Sequence, residues 1–222
     1  MNPAKIPQIK ICCISSKEEV KAAIRYGASA LGLVGHMPSG PGVIPDELIA
    51  EIVKVIPPQI DSFLLTSETK AEKIIEHHRK VNANTIQIVD ELRLDTYDQI
   101  RKNIPGIKLV QVIHVIDDNS IKRALNVSKF VDTVLLDSGN PNLKVKELGG
   151  TGRTHNWELS KEIRKLVDIP IFLAGGIGSH NIIEAFQTVR PFGIDLCSSV
   201  RTNGKLDLEK LKNLFIEVEK LR

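Results

Sequence analysis

The chain repeats one pattern of apolar and polar positions along most of its length. Short apolar segments such as Thr85–Val89 are typical of buried strands, and each is followed by a segment with apolar residues at helical spacing, as between 182 and 189. Eight such units of about 28 residues follow one another without a change in composition. We therefore predict an α/β fold, a single (β/α)₈ TIM barrel domain over residues 1–222. A doubly wound sheet remains the alternative, because the pattern separates the two poorly.

The predicted strands are Gln8–Ile14, Ala30–Val34, Phe63–Leu65, Thr85–Val89, Lys108–Val115, Thr133–Leu136, Ile169–Ala174 and a segment beginning at Gly193. The connections that follow strands are long at 35–44 and 138–156, whereas those that precede strands are short. In a barrel the strand-to-helix loops share one mouth, where active sites lie. The unpatterned segment 138–156 is therefore predicted to be a lid or binding loop.

The amino-acid composition argues against nucleic-acid and membrane partners. The chain is 42% hydrophobic and 26% charged, with a formal charge of +3 and only 4% aromatic residues. This balance lacks the basic stripes and stacking platforms of nucleic-acid binders, so we expect no nucleic-acid partner. Three cysteines without a paired motif fit free thiols in a reducing compartment, and no segment has the length of a membrane span. We expect a cytoplasmic protein without a membrane partner.

Two adjacent glycines follow the predicted seventh strand. Gly175 and Gly176 allow backbone N–H groups to approach a ligand, and the start of the helix behind them favours negative charge. The eighth strand ends in Ser198 and Ser199, at the neighbouring strand end, where it could complete a phosphate cradle. The alternative is that the glycines only form a tight turn.

Three ionisable side chains stand near the C-terminal ends of predicted strands, namely Cys12, Asp137 and Asp195. Strand alternation places Lys10, Cys12 and Ile14 on one face and Cys13 on the other, so we expect only Cys12 to face the mouth. A nearby lysine lowers a thiol pKa, which would suit Cys12 as a base or nucleophile. Alternatively, both cysteines are small core residues and Asp137 is a turn former.

Six short motifs occur in an order that resembles the phosphoribosylanthranilate isomerases of tryptophan synthesis, and the resemblance covers nearly the whole chain. The motifs are Lys10-Ile-Cys12, Leu135-Leu136-Asp137, Gly149-Gly-Thr-Gly152 before Trp157, Leu173-Ala-Gly-Gly-Ile177 with Asn181, Arg190-Pro191, and Ile194-Asp195 leading to Ser198.

The resemblance implies a barrel enzyme without metal or cofactor that converts an aminoaldose to an aminoketose by an Amadori rearrangement. It implies that Cys12 is the general base at C2′ of the ribose and that Asp137 is the general acid at the ring oxygen. The small phosphorylated substrate would be held by Gly175, Gly176, Ser198 and Ser199 at its phosphate, with Gln87, Asp195, Gly152 and Arg153 lining the rest of the site. The oligomeric state would be a monomer or a homodimer.

The second loop departs from the family pattern. The family has an arginine there that pairs with the anthranilate carboxylate, and this chain has Pro41. One hypothesis is that Arg153 or Arg201 replaces that contact. A second is that the barrel isomerises another phosphorylated aminosugar without a carboxylated ring, and a third is a non-catalytic phosphometabolite sensor, which would need neither Cys12 nor Asp137.

Overall fold

The computed structural model describes residues 6–143 and 146–221. Residues 1–5 and 222 of the predicted domain, and residues 144–145 of the predicted loop 138–156, lie outside this part. Eight parallel strands close into a barrel in chain order, because the first strand pairs with both the second and the eighth. This closure confirms the predicted (β/α)₈ fold and excludes the open doubly wound sheet.

The strands are β1 (Gln8–Ile11), β2 (Ala30–Val34), β3 (Asp61–Thr66), β4 (Thr85–Ile88), β5 (Lys108–His114), β6 (Thr133–Asp137), β7 (Ile171–Leu173) and β8 (Gly193–Leu196). The helices are α1 (Lys17–Tyr26), α2 (Asp46–Val53), α3 (Ala71–Val81), α4 (Leu94–Asn103), α5 (Asn119–Val127), α6 (Trp157–Leu166), α7 (Ile182–Val189) and α8 (Leu208–Glu219). A 3₁₀ turn (Ser198–Val200) and a hairpin of β9 (Arg201–Thr202) and β10 (Lys205–Leu206) connect β8 to α8.

Strand alternation divides the apolar residues between two cores. Residues such as Ile9 and Ile11 point outward and pack in the layer between strands and helices. Phe63 and Leu65 point inward and fill the barrel. Polar side chains take the inward positions near the C-terminal ends of the strands, as Gln87, Asp137 and Asp195 do.

Local capping signals fix several helix boundaries. The Ser16 hydroxyl accepts a hydrogen bond from the Glu19 backbone N–H at the start of α1, and Gly27 ends that helix with φ 115°. The Asn156 side chain accepts a hydrogen bond from the Glu158 backbone N–H at the start of α6.

The prediction for the end of the first strand, and for the faces of Cys13 and Ile14, is wrong. The first strand ends at Ile11, and Cys13 has φ +65°, so the chain turns and both Cys12 and Cys13 lie inside the barrel. Ile14 instead packs in the outer layer. The helix after Gly176 begins at Ile182, where the helical spacing between 182 and 189 predicts it, so a short connection separates its N-terminus from the glycines.

Candidate active site

A cavity of about 680 Å³ opens at the C-terminal ends of the strands, where a barrel places its active site. It brings together residues from seven of the eight strands or the loops that follow them, all except β5. Eight of the residues that the sequence singled out line it: Cys12, Gln87, Asp137, Gly152, Gly175, Gly176, Asp195 and Ser198.

A buried ion pair joins β1 to β8 at this end of the barrel. Lys10 is 0% exposed, and its Nζ lies 2.8 Å from Oδ2 of Asp195, its partner in the strand register. The ammonium also lies 5.1 Å from the centre of the Phe63 ring. Burial by itself would lower the pKa of Lys10, but the Asp195 carboxylate and the adjacent thiols raise it overall. Lys10 is therefore a permanent cation inside the barrel.

Gly32 on β2 leaves the space that this cation and the Cys12 thiol occupy. A Cβ atom at position 32 would lie 2.8 Å from Cys12 Sγ and 3.1 Å from Lys10 Nζ. Both distances are shorter than ordinary van der Waals contacts, so a larger residue would displace the thiol.

The environments of the two adjacent thiols push their pKa values apart. The Cys13 thiol lowers the pKa of Cys12 most, and the Lys10 ammonium lowers it further, against the opposing effect of burial. The neighbouring thiols Cys12 and Cys197, together with burial, raise the pKa of Cys13 well above its usual value. Cys12 is therefore the thiol that ionises more readily, as a general base requires.

The pKa of Asp137 shifts in the opposite direction to that of Cys12. Burial raises the pKa of its carboxyl group, and the Ser138 backbone N–H, which donates to Oδ1 at 2.8 Å, and Lys10 only partly offset this effect. A carboxyl group that retains its proton toward neutral pH can act as an acid. The cavity thus holds one group suited to take a proton and one suited to give a proton.

The other end of the cavity is formed mostly by backbone. Gly175 and Gly176 have φ values of +82° and +61°, and a Cβ at Gly176 would lie 2.6 Å from backbone atoms of Arg153 and Thr154. Only glycine fits this turn, in which successive N–H groups can face an anion. Ser198 lines the same end, and the buried Ser199 hydroxyl has no hydrogen-bond partner among the described residues, although Ser199 does not line the cavity.

Gln87 on β4 presents another unpartnered polar group. Its side chain is buried and lines the cavity, and its Oε1 accepts no hydrogen bond within the described part of the chain. An unsatisfied buried amide is unfavourable, so Oε1 is available to a donor on a bound molecule.

Two loops meet above the cavity and join its walls. The Ser39 hydroxyl donates to the Lys146 carbonyl, and Gly150 packs so closely on Pro41 that a Cβ there would lie 2.5 Å from Cδ of the proline. Ser138 and Thr151 hydroxyls, 2.7 Å apart, connect the two ends of the segment that follows β6. Residues 149–152 of the segment 138–156 line the cavity, and the role of this segment as a lid or binding loop stays a prediction.

Neither arginine considered at the sequence level reaches the cavity. The Arg153 side chain is 62% exposed and pairs with Glu147, because it extends from the outer side of its loop. Arg201 is buried, but its guanidinium is held by Glu19 and by the carbonyls of Cys12 and Cys13 beneath the site. Neither arginine side chain lines the cavity in this structure, so a contact of Arg153 or Arg201 with the substrate stays a prediction.

Three features of the site were not singled out from the sequence. These are the Lys10–Asp195 pair, the space at Gly32, and the inward position of Cys13. A lysine within a buried strand is a detectable signal, because a buried charge requires a partner. The positive φ of Cys13 has no comparable signal, since only a few per cent of residues other than glycine adopt it.

Two kinds of site are absent from residues 6–143 and 146–221. In this part of the chain, no group of three His, Cys, Asp or Glu side chains is arranged to hold a metal ion. No helix here combines the length and apolar character needed to cross a bilayer.

Comparison with known proteins agrees with this geometry. Residues 9–217 match the family described as N-(5'-phosphoribosyl)anthranilate isomerase. A relative of that name from Methanosarcina acetivorans is 33% identical, over 95% of this chain and 92% of its own length. The phosphoribosyl anthranilate isomerase of Thermotoga maritima has 27% identity and a TM-score of 0.83, covering 97% of this chain and all of its own. Another solved isomerase, 25% identical with a TM-score of 0.80 and the same coverage, holds reduced 1-(o-carboxyphenylamino)-1-deoxyribulose 5-phosphate.

The match in sequence extends over nearly the whole chain, and the match in structure extends over the whole barrel. The matched residues 9–217 include the ends of β1 and β6, near which Cys12 and Asp137 lie. The chain therefore belongs to the N-(5'-phosphoribosyl)anthranilate isomerase family.

Proposed function

We propose that this protein is an aldose–ketose isomerase that converts N-(5'-phosphoribosyl)anthranilate to 1-(o-carboxyphenylamino)-1-deoxyribulose 5-phosphate in tryptophan biosynthesis. The observation that carries the proposal is a single cavity with a readily ionised thiol, a carboxyl group of raised pKa and a glycine-rich cradle. The family membership of the chain supports the same reaction.

Asp137 acts first, as the general acid. Its carboxyl proton passes to the furanose ring oxygen, the bond between that oxygen and C1′ breaks, and an iminium forms at C1′ with the anthranilate nitrogen. Burial favours this step, because it keeps the carboxyl group neutral until the ring opens.

Cys12 acts second, as the general base. Its thiolate takes the proton from C2′, and the electrons of that C–H bond neutralise the iminium and give an enolamine. Protonation at C1′ with loss of the hydroxyl proton at O2′ then gives the ketose. The fixed positive charge of Lys10 beneath the thiol stabilises the thiolate before this step.

The phosphate of the substrate lies at the glycine end of the cavity. Backbone N–H groups of Gly175 and Gly176 face it, with Gly152, Ser198 and the unpartnered Ser199 hydroxyl close by. Gln87 and Asp195 line the sugar, and Gln87 accepts a hydrogen bond from a hydroxyl or amine of the substrate.

One observation favours a second candidate. Among the described residues that line the cavity, none carries a cationic side chain, and its outer wall is formed by apolar residues such as Met37, Leu65 and Leu148. The same proton transfers could therefore act on a phosphoribosylamine whose aglycone lacks a carboxylate.

Turnover of N-(5'-phosphoribosyl)anthranilate, followed by the loss of its fluorescence, tests the proposal. We expect the natural protein to be active and Cys12→Ser and Asp137→Asn each to lose activity by about 10²-fold or more. A parallel assay of the phosphoribosylated aniline, which lacks the carboxylate, tests the second candidate. No turnover of either compound by the folded natural protein would contradict both.

A further inference from the structure

All three cysteines of the chain lie at the catalytic cavity. Cys12, Cys13 and Cys197 are free thiols, and each lines the cavity. The proposed reaction uses only Cys12 directly. Cys13 and Cys197 are separated by 184 positions in the chain and come together only because β1 and β8 close the barrel.

The two remaining thiols are in contact. Their Sγ atoms lie 2.9 Å apart, within about 1 Å of the length of a disulfide bond, which is near 2.05 Å. The turn at Cys13 produces this contact, because its φ of +65° directs the side chain into the barrel rather than toward the helices. Pro41 closes the other side of the Cys13 thiol, with its carbonyl oxygen 3.5 Å from Sγ.

We propose that Cys13 and Cys197 are an oxidation site that forms a reversible disulfide and thereby reduces the isomerase activity. Cys197 is the more exposed of the two, so a peroxide reaches it first. Its sulfur attacks one peroxide oxygen, the O–O bond breaks, and a sulfenic acid and one water form. The Cys13 sulfur then displaces a second water from the sulfenic acid, so that two thiols and one hydrogen peroxide give one disulfide and two waters.

The disulfide affects the reaction through Cys12. Formation of the bond removes the Cys13 thiol hydrogen, and the Cys13 thiol is the largest contribution to the low pKa of Cys12. The bond also fixes Cys197, which directly precedes Ser198 at the phosphate end of the cavity. Loss of the Cys13 hydrogen bond raises the pKa of Cys12, so a smaller fraction of the thiol is ionised at neutral pH and the rate falls.

The effect on activity rests on the proposed function, whereas the formation of the disulfide does not. We therefore test bond formation first, in the natural protein and in Cys12→Ser, by mild treatment with hydrogen peroxide, alkylation of the remaining thiols and peptide mass spectrometry. We expect a peptide linking Cys13 to Cys197 in both proteins, and its loss after dithiothreitol. Oxidation confined to Cys12, or a natural protein in which no such linked peptide forms, would overturn the proposal even if the protein proves to be a different isomerase.

Activity is then compared before and after the same treatment in the natural protein and in Cys197→Ser, each relative to its own untreated rate. We expect a loss of about tenfold in the natural protein that dithiothreitol reverses, and a much smaller loss in Cys197→Ser. Equal losses in the two proteins, or a linked protein with an unchanged rate, would overturn the inhibitory role of the bond.

Discussion

The Lys10 ammonium and the Asp195 carboxylate form an ion pair 2.8 Å long between residues in direct register on β1 and β8, and Lys10 is fully buried. The pair closes the first and last strands of the barrel directly below the Cys12 thiol. A buried pair of this kind is difficult to remove one partner at a time, because the remaining charge stays in an apolar environment.

This relationship predicts unequal effects of single and double substitutions on stability. Lys10→Met should lower the free energy of unfolding by about 3–5 kcal/mol, since it leaves Asp195 without a partner. Adding Asp195→Leu should recover most of that loss, because two apolar side chains then replace the pair. Urea unfolding measures both values. A double variant less stable than Lys10→Met would show that the pair itself, rather than the unpaired charge, determines the stability. Activity should stay low in both variants, because the thiolate of Cys12 loses its cation.

The proposed acid and base predict a bell-shaped dependence of kcat/KM on pH. Activity should fall at low pH as Cys12 takes up a proton, and at high pH as Asp137 loses its own. Cys13→Ala removes the side-chain donor that most lowers the pKa of Cys12, so the limb set by Cys12 should move to higher pH while the limb set by Asp137 stays in place. Steady-state kinetics across pH measure both limbs, and a profile in which Cys13→Ala moves neither limb would contradict the role of Cys12 as the base.

The phosphate cradle predicts a selective effect of an added methyl group. Gly176→Ala introduces a Cβ 2.6 Å from backbone atoms at a φ of +61°, so it should raise KM by about tenfold or more and weaken inhibition by inorganic phosphate. Gly204→Ala is a matched control, because Gly204 has φ +76° and nothing within 4 Å of its Cβ position. The control should lose about 1–2 kcal/mol of stability with an unchanged KM. Equal changes in KM would show that the effect comes from backbone strain alone.

The apolar outer wall of the cavity predicts a gain of affinity for a carboxylated aglycone when a cation is added. Pro41→Arg places a guanidinium at the cavity edge and should lower KM for N-(5'-phosphoribosyl)anthranilate by about tenfold, the lower end of what a charged hydrogen bond contributes. Pro41→Gln removes the proline without adding charge and serves as the control. The phosphoribosylated aniline should bind both variants alike, and an equal gain for both compounds would contradict a carboxylate contact.

The ion pair between Glu19 and Arg201 predicts a pH dependence of the free energy of unfolding that does not involve the catalytic groups. Burial would raise the pKa of its carboxyl group, but Arg201 and the backbone N–H groups of Leu206 and Ser15 lower it overall. A carboxyl group whose pKa is lower in the folded protein than its usual value of 4.5 stabilises the fold at pH values above 4.5. This stabilisation is lost as the pH falls through the lowered pKa. Glu19→Gln should therefore be less stable than the natural protein at neutral pH, and the difference should shrink in acid.

The sequence predicted the parts of the site that depend on local pattern. Strand alternation placed Lys10 and Cys12 on one face of the first strand, and both lie inside the barrel. The carboxyl end of β6 carries Asp137 into the cavity because parallel strands of a barrel end at one mouth.

The parts that the sequence did not predict depend on contacts between distant segments or on unusual backbone. Lys10 meets Asp195 across 185 positions, and Glu19 meets Arg201 across 182. Such pairs depend on strand register and on the path of the β9–β10 hairpin, which no local pattern encodes. The inward turn at Cys13 depends on a backbone conformation that is rare for its residue type.

The contacts of Ser39 with Lys146, and of Pro41 with Gly150, make the segments after β2 and β6 a single structural unit. A chimera that transplants only one of these segments from a relative would lose both contacts at once. Donor segments for redesigning the range of accepted aglycones should therefore be exchanged in pairs.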